Sequence, residues 1–222
     1  MLTPSVRSCS MLAAALVASI AFTAAPVVAQ SGKPVPATPQ AALDALEAAI
    51  AAGDARAAMA LLTPDGQKRL AKDAVIGSLA MLAFADPDDP NPMGPKPSPA
   101  ELKGKREAYA GAKKEITAAL KPSGMDAAIG KPLMPAQEIV DAKMGAADAS
   151  TLVPALWDAV VKAGPALGMK QKQPFMKVGP FTALKVDGDH ATVKSGPRTM
   201  KIDKIGGKWL VDAPLPELEP GQ

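Results

Sequence analysis

The sequence predicts an α+β domain in which N-terminal helices pack on one face of a C-terminal antiparallel sheet. Up to about residue 163 the apolar residues recur at helical spacing, and several segments open with a Thr-Pro or Ser-Pro pair, which is typical of a helix N-terminus. From about residue 181 the apolar residues alternate with polar ones, and two glycine-containing turns separate the alternating segments. Helices followed by a run of strands favour an antiparallel sheet, here of about four strands, covered by helices on one side.

Three helices are predicted in the first part of the domain. The first covers about residues 38–53, the second is a short helix over 54–62, and the third covers 63–84. Each begins at a residue whose side-chain oxygen can accept a hydrogen bond from the free backbone N–H groups of the first turn; these residues are Thr38, Asp54 and Thr63.

A proline-rich segment interrupts the helices at residues 86–99. It contains six prolines, and neither a helix nor a central strand tolerates that density, so we expect an extended and mobile surface loop. Ser98 and Glu101 then form a capping-box pattern around Pro99. Further helices are predicted over residues 98–120, 135–144 and 150–163.

Four strands are predicted in the C-terminal third, over residues 181–186, 190–194, 198–205 and 208–212. Asp-Gly-Asp at 187–189 and Gly-Gly at 206–207 supply the tight turns that set the register between neighbouring strands. The apolar side chains that we expect to face the helices are Leu184, Val186, Val193, Met200, Ile202, Trp209 and Val211.

Residues 1–29 have the pattern of a cleavable secretory signal peptide. Arg7 precedes an apolar run of about 15 residues, and small residues at 27 and 29 favour cleavage after Ala29. We therefore expect a signal peptide over 1–29, and a periplasmic or secreted protein. The rest of the chain is then predicted to consist of a flexible leader over 30–37, one domain over 38–216 and a short tail over 217–222.

The composition of the mature chain excludes several classes of site. The single cysteine, Cys9, leaves with the signal peptide, so no disulfide, thiolate nucleophile or cysteine-ligated metal is expected. Removing Arg7 lowers the formal net charge from +3 to +2, and aromatic residues make up 3% of the chain, which argues against nucleic-acid binding. We also expect no stable membrane insertion after cleavage.

Two stretches of the chain resemble the nuclear transport factor 2-like (cystatin-like, cone-shaped) superfamily, in particular its small exported bacterial members. The N-terminal stretch runs from Ala41 through Gly53-Asp54 to Gly66, and the C-terminal one combines residues 186–193 with 200–212, which include Gly206-Gly207-Lys208-Trp209. The resemblance implies a curved sheet wrapped around a helix, with a cone-shaped cavity for a small apolar ligand or for isomerase chemistry. Residues 86–179 depart from the pattern of that family.

The residues with chemical potential do not form a recognisable catalytic or metal-binding motif. The lone histidine, His190, is predicted to be an exposed turn residue, and the carboxylates of 86–91 lack the spacing of a calcium loop. Tyr109 and Trp209 are the candidates for contact with a ligand, and no catalytic residue, metal or cofactor is predicted. We expect a non-catalytic exported domain that binds a small apolar ligand or another envelope protein in a cone-like cavity; the alternative is a cavity enzyme of isomerase or hydrolase type.

Overall fold

Helices precede a four-stranded antiparallel sheet in the computed structural model, which describes residues 36–88, 98–167, 180–196 and 198–212. The predicted α+β class, with helices first and the sheet last, is confirmed. The predicted signal peptide, nearly all of the leader, residues 89–97 of the proline-rich loop and the tail lie outside the described residues.

The described residues form six α-helices, and most of their N-termini were predicted from their caps. The side chains of Thr38, Thr63 and Ser98 accept hydrogen bonds from the backbone of the first turn, and Ser98 and Glu101 complete the predicted capping box. The helices are α1 (Pro39–Ala51), α2 (Ala55–Met59), α3 (Pro64–Phe84), α4 (Pro99–Leu120), α5 (Leu133–Met144) and α6 (Ala149–Ala163). Short 3-10 helices follow α4 at Lys121–Ser123 and Met125–Ala128, and follow α6 at Gly164–Leu167.

One helix boundary differs from the sequence prediction in a way that matters for the fold. Helix α2 ends at Met59, whereas the prediction extended it through Leu61 and Leu62. Those two residues instead lie beside the last strand, where Leu62 forms a parallel bridge with Val211. The backbone N–H of Val211 donates to the carbonyl of Leu61 at 2.8 Å, so sheet pairing, rather than helical bonding, satisfies this segment.

The four strands form an antiparallel meander in the order β1-β2-β3-β4, as predicted. They are β1 (Phe181–Asp187), β2 (His190–Ser195), β3 (Arg198–Ile205) and β4 (Lys208–Val211). Between β3 and β4, Gly206 and Gly207 have φ values of 58° and 79°. A two-residue turn with two positive φ values matches the right-handed twist of a hairpin, and glycine adopts it without steric cost.

Strand β1 contains a bulge, and its burial differs from the sequence prediction. The pairing of β1 with β2 shifts between Thr182 and Lys185, and Ala183 has a φ of 54°, which is unusual for a residue with a side chain. Leu184 beyond the bulge is half-buried. Val186 lies opposite Ala191 but is 57% exposed, so its predicted burial is wrong.

The hydrophobic core lies between the helices and one face of the sheet. Helix α1 packs against the two edge strands, β1 and β4, while α6 packs against α2, α3 and α4. The remaining helix, α5, packs on α3 and on the 3-10 helix Met125–Ala128. The sheet contributes buried apolar side chains from three strands, namely Ala191, Val193, Met200, Ile202, Trp209 and Val211. The other face of the sheet is therefore the one that points away from this core.

Candidate functional site

The face of the sheet opposite the core carries a regular array of polar side chains. Because neighbouring strands pair in register, residues that lie opposite one another form rows across β1, β2 and β3. The first row is Thr182, Lys194 and Thr199, and the second is Lys185, Thr192 and Lys201. Lysine and threonine thus alternate both along the strands and across them. We call these six exposed residues the lysine–threonine face.

The three lysines of this face concentrate positive charge on a rigid surface. Lys185 and Lys201 lie two strands apart, about 10 Å between backbones, and Lys194 lies in the adjacent row. Within the described part of the chain, no carboxylate forms a salt bridge with any of the three. The array therefore offers three ammonium groups, each beside a threonine hydroxyl that can donate or accept a hydrogen bond.

A third row, at the hairpin end of the same face, has the opposite charge. It consists of Asp187, His190 and Asp203. The Nδ1 of His190 lies 2.7 Å from Oδ1 of Asp203, and the hydrogen bond and charge of Asp203, with smaller contributions from Asp189 and Asp187, raise the pKa of His190. The histidine side chain is 79% exposed, as predicted for a turn residue. This acidic row forms a border to the lysine–threonine face.

Trp209, one of the two predicted ligand-contact candidates, lies on the opposite, core-facing side of the sheet. Trp209 is 5% exposed, and the Nζ of Lys204 lies 5.9 Å from the centroid of its ring. Among the described strand residues on that side, none is acidic, and the buried polar one is Ser195. The tryptophan is thus placed as a packing residue among apolar side chains.

Tyr109, the second candidate, lies on α4 and forms a hydrogen bond to the first residue of the proline-rich loop. Its hydroxyl donates to Oδ2 of Asp86 at 3.4 Å, and its ring lies 5.7 Å from the Nζ of Lys113. Arg106, one turn earlier on α4, donates from Nε and Nη2 to Oδ1 of Asp88 at 2.9 and 2.5 Å. The mobility predicted for the loop stays a prediction, since residues 89–97 lie outside the described residues, and the first residues of the loop form hydrogen bonds to α4.

The environment of Tyr109 keeps its phenol protonated. Burial, followed by the charge and hydrogen bond of Asp86 and the charge of Asp88, raises the pKa of Tyr109 above its ordinary value. A tyrosine beside a carboxylate is the pair that the cavity-enzyme alternative requires, but this pair lies between the end of α3 and α4 and not on the sheet. The contact links the first residues of the loop to α4.

A polar contact between α3 and the end of β4 was not predicted from the sequence. Asp212 follows β4, and its Oδ1 accepts hydrogen bonds from the hydroxyl of Thr63, at 3.1 Å, and from Nη2 of Arg69. Thr63 also caps α3, so one hydroxyl joins the helix start to the sheet. We call Thr63, Arg69 and Asp212 the α3–β4 clasp. Asp212 lies more than 140 residues from both Thr63 and Arg69 in the chain, so no local pattern indicates the clasp.

One carboxyl group on α3 is unfavourably placed for ionisation. Burial raises the pKa of Asp73, against the smaller opposing effects of the Lys72 and Arg69 charges. Lys72 itself is paired with Asp141 on α5, with 2.6 Å between Nζ and Oδ1. Asp73 is therefore a partly buried acid, and the positive charges of Lys72 and Arg69 offset only part of the effect of burial on its pKa.

The described residues contain no group of three or more histidine, cysteine or carboxylate side chains placed to hold a metal ion. Over the same residues, no helix is both long enough and apolar enough to span a lipid bilayer.

No family model, curated protein or solved structure matches the chain. The resemblance to the nuclear transport factor 2-like superfamily therefore stays a prediction from the residues quoted above.

Proposed function

We propose that this protein is an exported, non-catalytic binding domain that holds an anionic partner in the cell envelope on its lysine–threonine face. Export is supported by the signal-peptide pattern of residues 1–29. The single observation that carries the binding function is the register of the sheet, which brings Lys185, Lys194 and Lys201 together on one exposed surface without carboxylate partners among the described residues.

Placing three cations that have no carboxylate partner among the described residues close together on a rigid sheet favours an anionic ligand. Their mutual repulsion is unfavourable in the free protein, and an anion that neutralises them removes that repulsion. Elsewhere on the surface, cations are mixed with acids, as on α4, where Glu101, Glu107 and Glu115 are interspersed among the lysines. Across β1, β2 and β3 the two rows of the lysine–threonine face contain no acid. Asp212, which follows β4 beside Lys201, directs its carboxylate to Thr63 and Arg69.

The core-facing side of the sheet gives less support to a small apolar ligand. A ligand in that position would contact side chains such as Met200, Ile202 and Trp209, and each of these is already buried within the protein. The exposed side of the sheet is accessible in the structure as it stands.

The proposal is tested by measuring binding to dextran sulfate, with neutral dextran as the reference polymer. We expect binding to dextran sulfate that weakens as salt concentration rises, because released counterions drive such association. A triple variant, K185Q/K194Q/K201Q, should bind about tenfold more weakly, since each exposed ion pair contributes roughly 0.2–1 kcal/mol.

A matched variant separates the face from general basicity. K103Q/K105Q/K114Q removes the same charge from exposed positions of α4 and should change the affinity less than twofold. Equal losses in the two triple variants, or no binding to dextran sulfate by the parent protein, would contradict the proposal.

A further inference from the structure

The dimensions of the lysine–threonine face narrow the kind of anion that it fits. Its cations occupy two rows on three strands, a strip about 10 Å across the strands and about 7 Å along them. Beyond the second row, Asp187 and Asp203 replace the lysines and reverse the sign of the surface. We infer, on the basis of the proposed function, that the anionic partner is a linear acidic polysaccharide whose single chain lies over the two lysine-containing rows.

The acidic border argues against a lipid surface. A bilayer is broad and flat, so docking it on Lys185 and Lys201 would also press Asp187 and Asp203 against anionic headgroups. A narrow polymer avoids this unfavourable contact because it covers the cationic rows alone.

The composition of the face argues against a single-stranded nucleic acid. Such ligands are held by aromatic side chains on which bases stack, and the two rows of the lysine–threonine face contain no aromatic residue.

The threonines distinguish an acidic sugar chain from an acidic peptide. Thr182, Thr192 and Thr199 place a hydroxyl beside each lysine, and a hydroxyl both donates and accepts hydrogen bonds. A sugar chain carries hydroxyl groups between its carboxylates and can pair with both side-chain types. The ionised side chains of an acidic peptide such as polyglutamate can accept hydrogen bonds from the lysines and the threonine hydroxyls but cannot donate to the hydroxyls, whereas a sugar hydroxyl can do both.

The experiment compares polygalacturonate with poly-L-glutamate at equal carboxylate concentration and ionic strength, using the mature chain. We expect polygalacturonate to bind at least fivefold more tightly than polyglutamate, and vesicles of phosphatidylglycerol to bind no better than polyglutamate. Equal or tighter binding of polyglutamate or of the vesicles overturns the inference but leaves the proposed anionic partner standing. Failure of every anion to bind overturns both.

A double variant, T192V/T199V, tests the hydroxyl contribution directly. Valine keeps the branched shape that favours a strand, and both positions are exposed, so the fold should persist, which a thermal melt checks. We expect the variant to lose about fivefold in affinity for polygalacturonate, as expected for two neutral hydrogen bonds, and less than twofold for polyglutamate. An equal loss of affinity for both polymers would show that the threonine hydroxyls do not distinguish a sugar chain from a peptide.

Discussion

Trp209 provides the sharpest test of how the sheet is held on the helices. The residue lies on β4 with 5% of its surface exposed, and α1 packs against that strand. Replacing it with alanine removes the largest side chain that the sheet contributes to the core. We expect the variant to fold to the same secondary structure but with a large loss in the free energy of unfolding.

The size of the loss follows from the buried area. A buried tryptophan side chain removes roughly 150–250 Å² from water, which at about 25 cal/mol/Å² corresponds to roughly 4–6 kcal/mol as an upper estimate. Alanine retains part of this burial, so we expect Trp209→Ala to cost roughly 3–5 kcal/mol, in line with aromatic truncations in other cores. For a domain of this size the melting temperature should fall by about 6–20 °C.

Urea denaturation followed by far-ultraviolet circular dichroism measures this loss without relying on tryptophan fluorescence. Phe84→Ala is the control, because Phe84 is also a large aromatic residue but is 82% exposed, and its loss should cost less than about 0.5 kcal/mol. If Trp209→Ala costs less than about 1 kcal/mol, the tryptophan is not a core residue, and contact with a ligand becomes the better account of it.

Four further predictions concern the bulge, the clasp and two titrating groups. Ala183→Gly should stabilise the protein by about 0.5–1 kcal/mol in urea melts, because glycine adopts the φ of 54° without strain, whereas a loss of stability would argue against the bulge. Asp212→Ala should lower the free energy of unfolding by about 1–2 kcal/mol, since it removes the hydrogen bonds from Thr63 and Arg69. A change below about 0.3 kcal/mol would show that the clasp does not stabilise the fold. In NMR titrations His190 should have a pKa above the ordinary histidine value, and Asp203→Asn should lower that pKa; an unchanged pKa in the variant would contradict the contact. The stability that the pair contributes is fully present below the ordinary pKa of histidine and is lost as pH rises through the raised pKa. Asp73→Asn should leave the melting temperature at pH 7 unchanged or raise it. A carboxyl group with a raised pKa stabilises the folded state below its ordinary pKa, and this stabilisation is lost as pH rises through the raised pKa. A lower melting temperature of the variant at pH 7 would mean that the charge of Asp73 is favourable in the folded protein.

Local sequence patterns were sufficient for the helices and strands because the interactions that define them are local. A cap such as Thr38 or Ser98 bonds a backbone N–H only three residues away, so the helix start is written in a few neighbouring residues. The hairpin between β3 and β4 is equally local, since Gly206-Gly207 fixes both the turn and the register of the strands beside it. Prediction failed at Leu62 because its partner, Val211, is almost 150 residues away.

For the candidate site too, one part could be predicted from the sequence and the rest depends on the tertiary structure. The alternation of threonine and lysine along β2 and β3 is visible in the sequence, and period-two counting on the solvent side of these strands would have found it. In β1, Thr182 and Lys185 are three residues apart, so the same counting does not connect them. That the three lysines lie together depends on the pairing of β1, β2 and β3, and the bulge at Ala183 decides which residues of β1 join them. Likewise, the sequence identified Trp209 and Tyr109 as the notable aromatic residues, but only packing could place one in the core and the other against Asp86, because burial depends on contacts between distant segments.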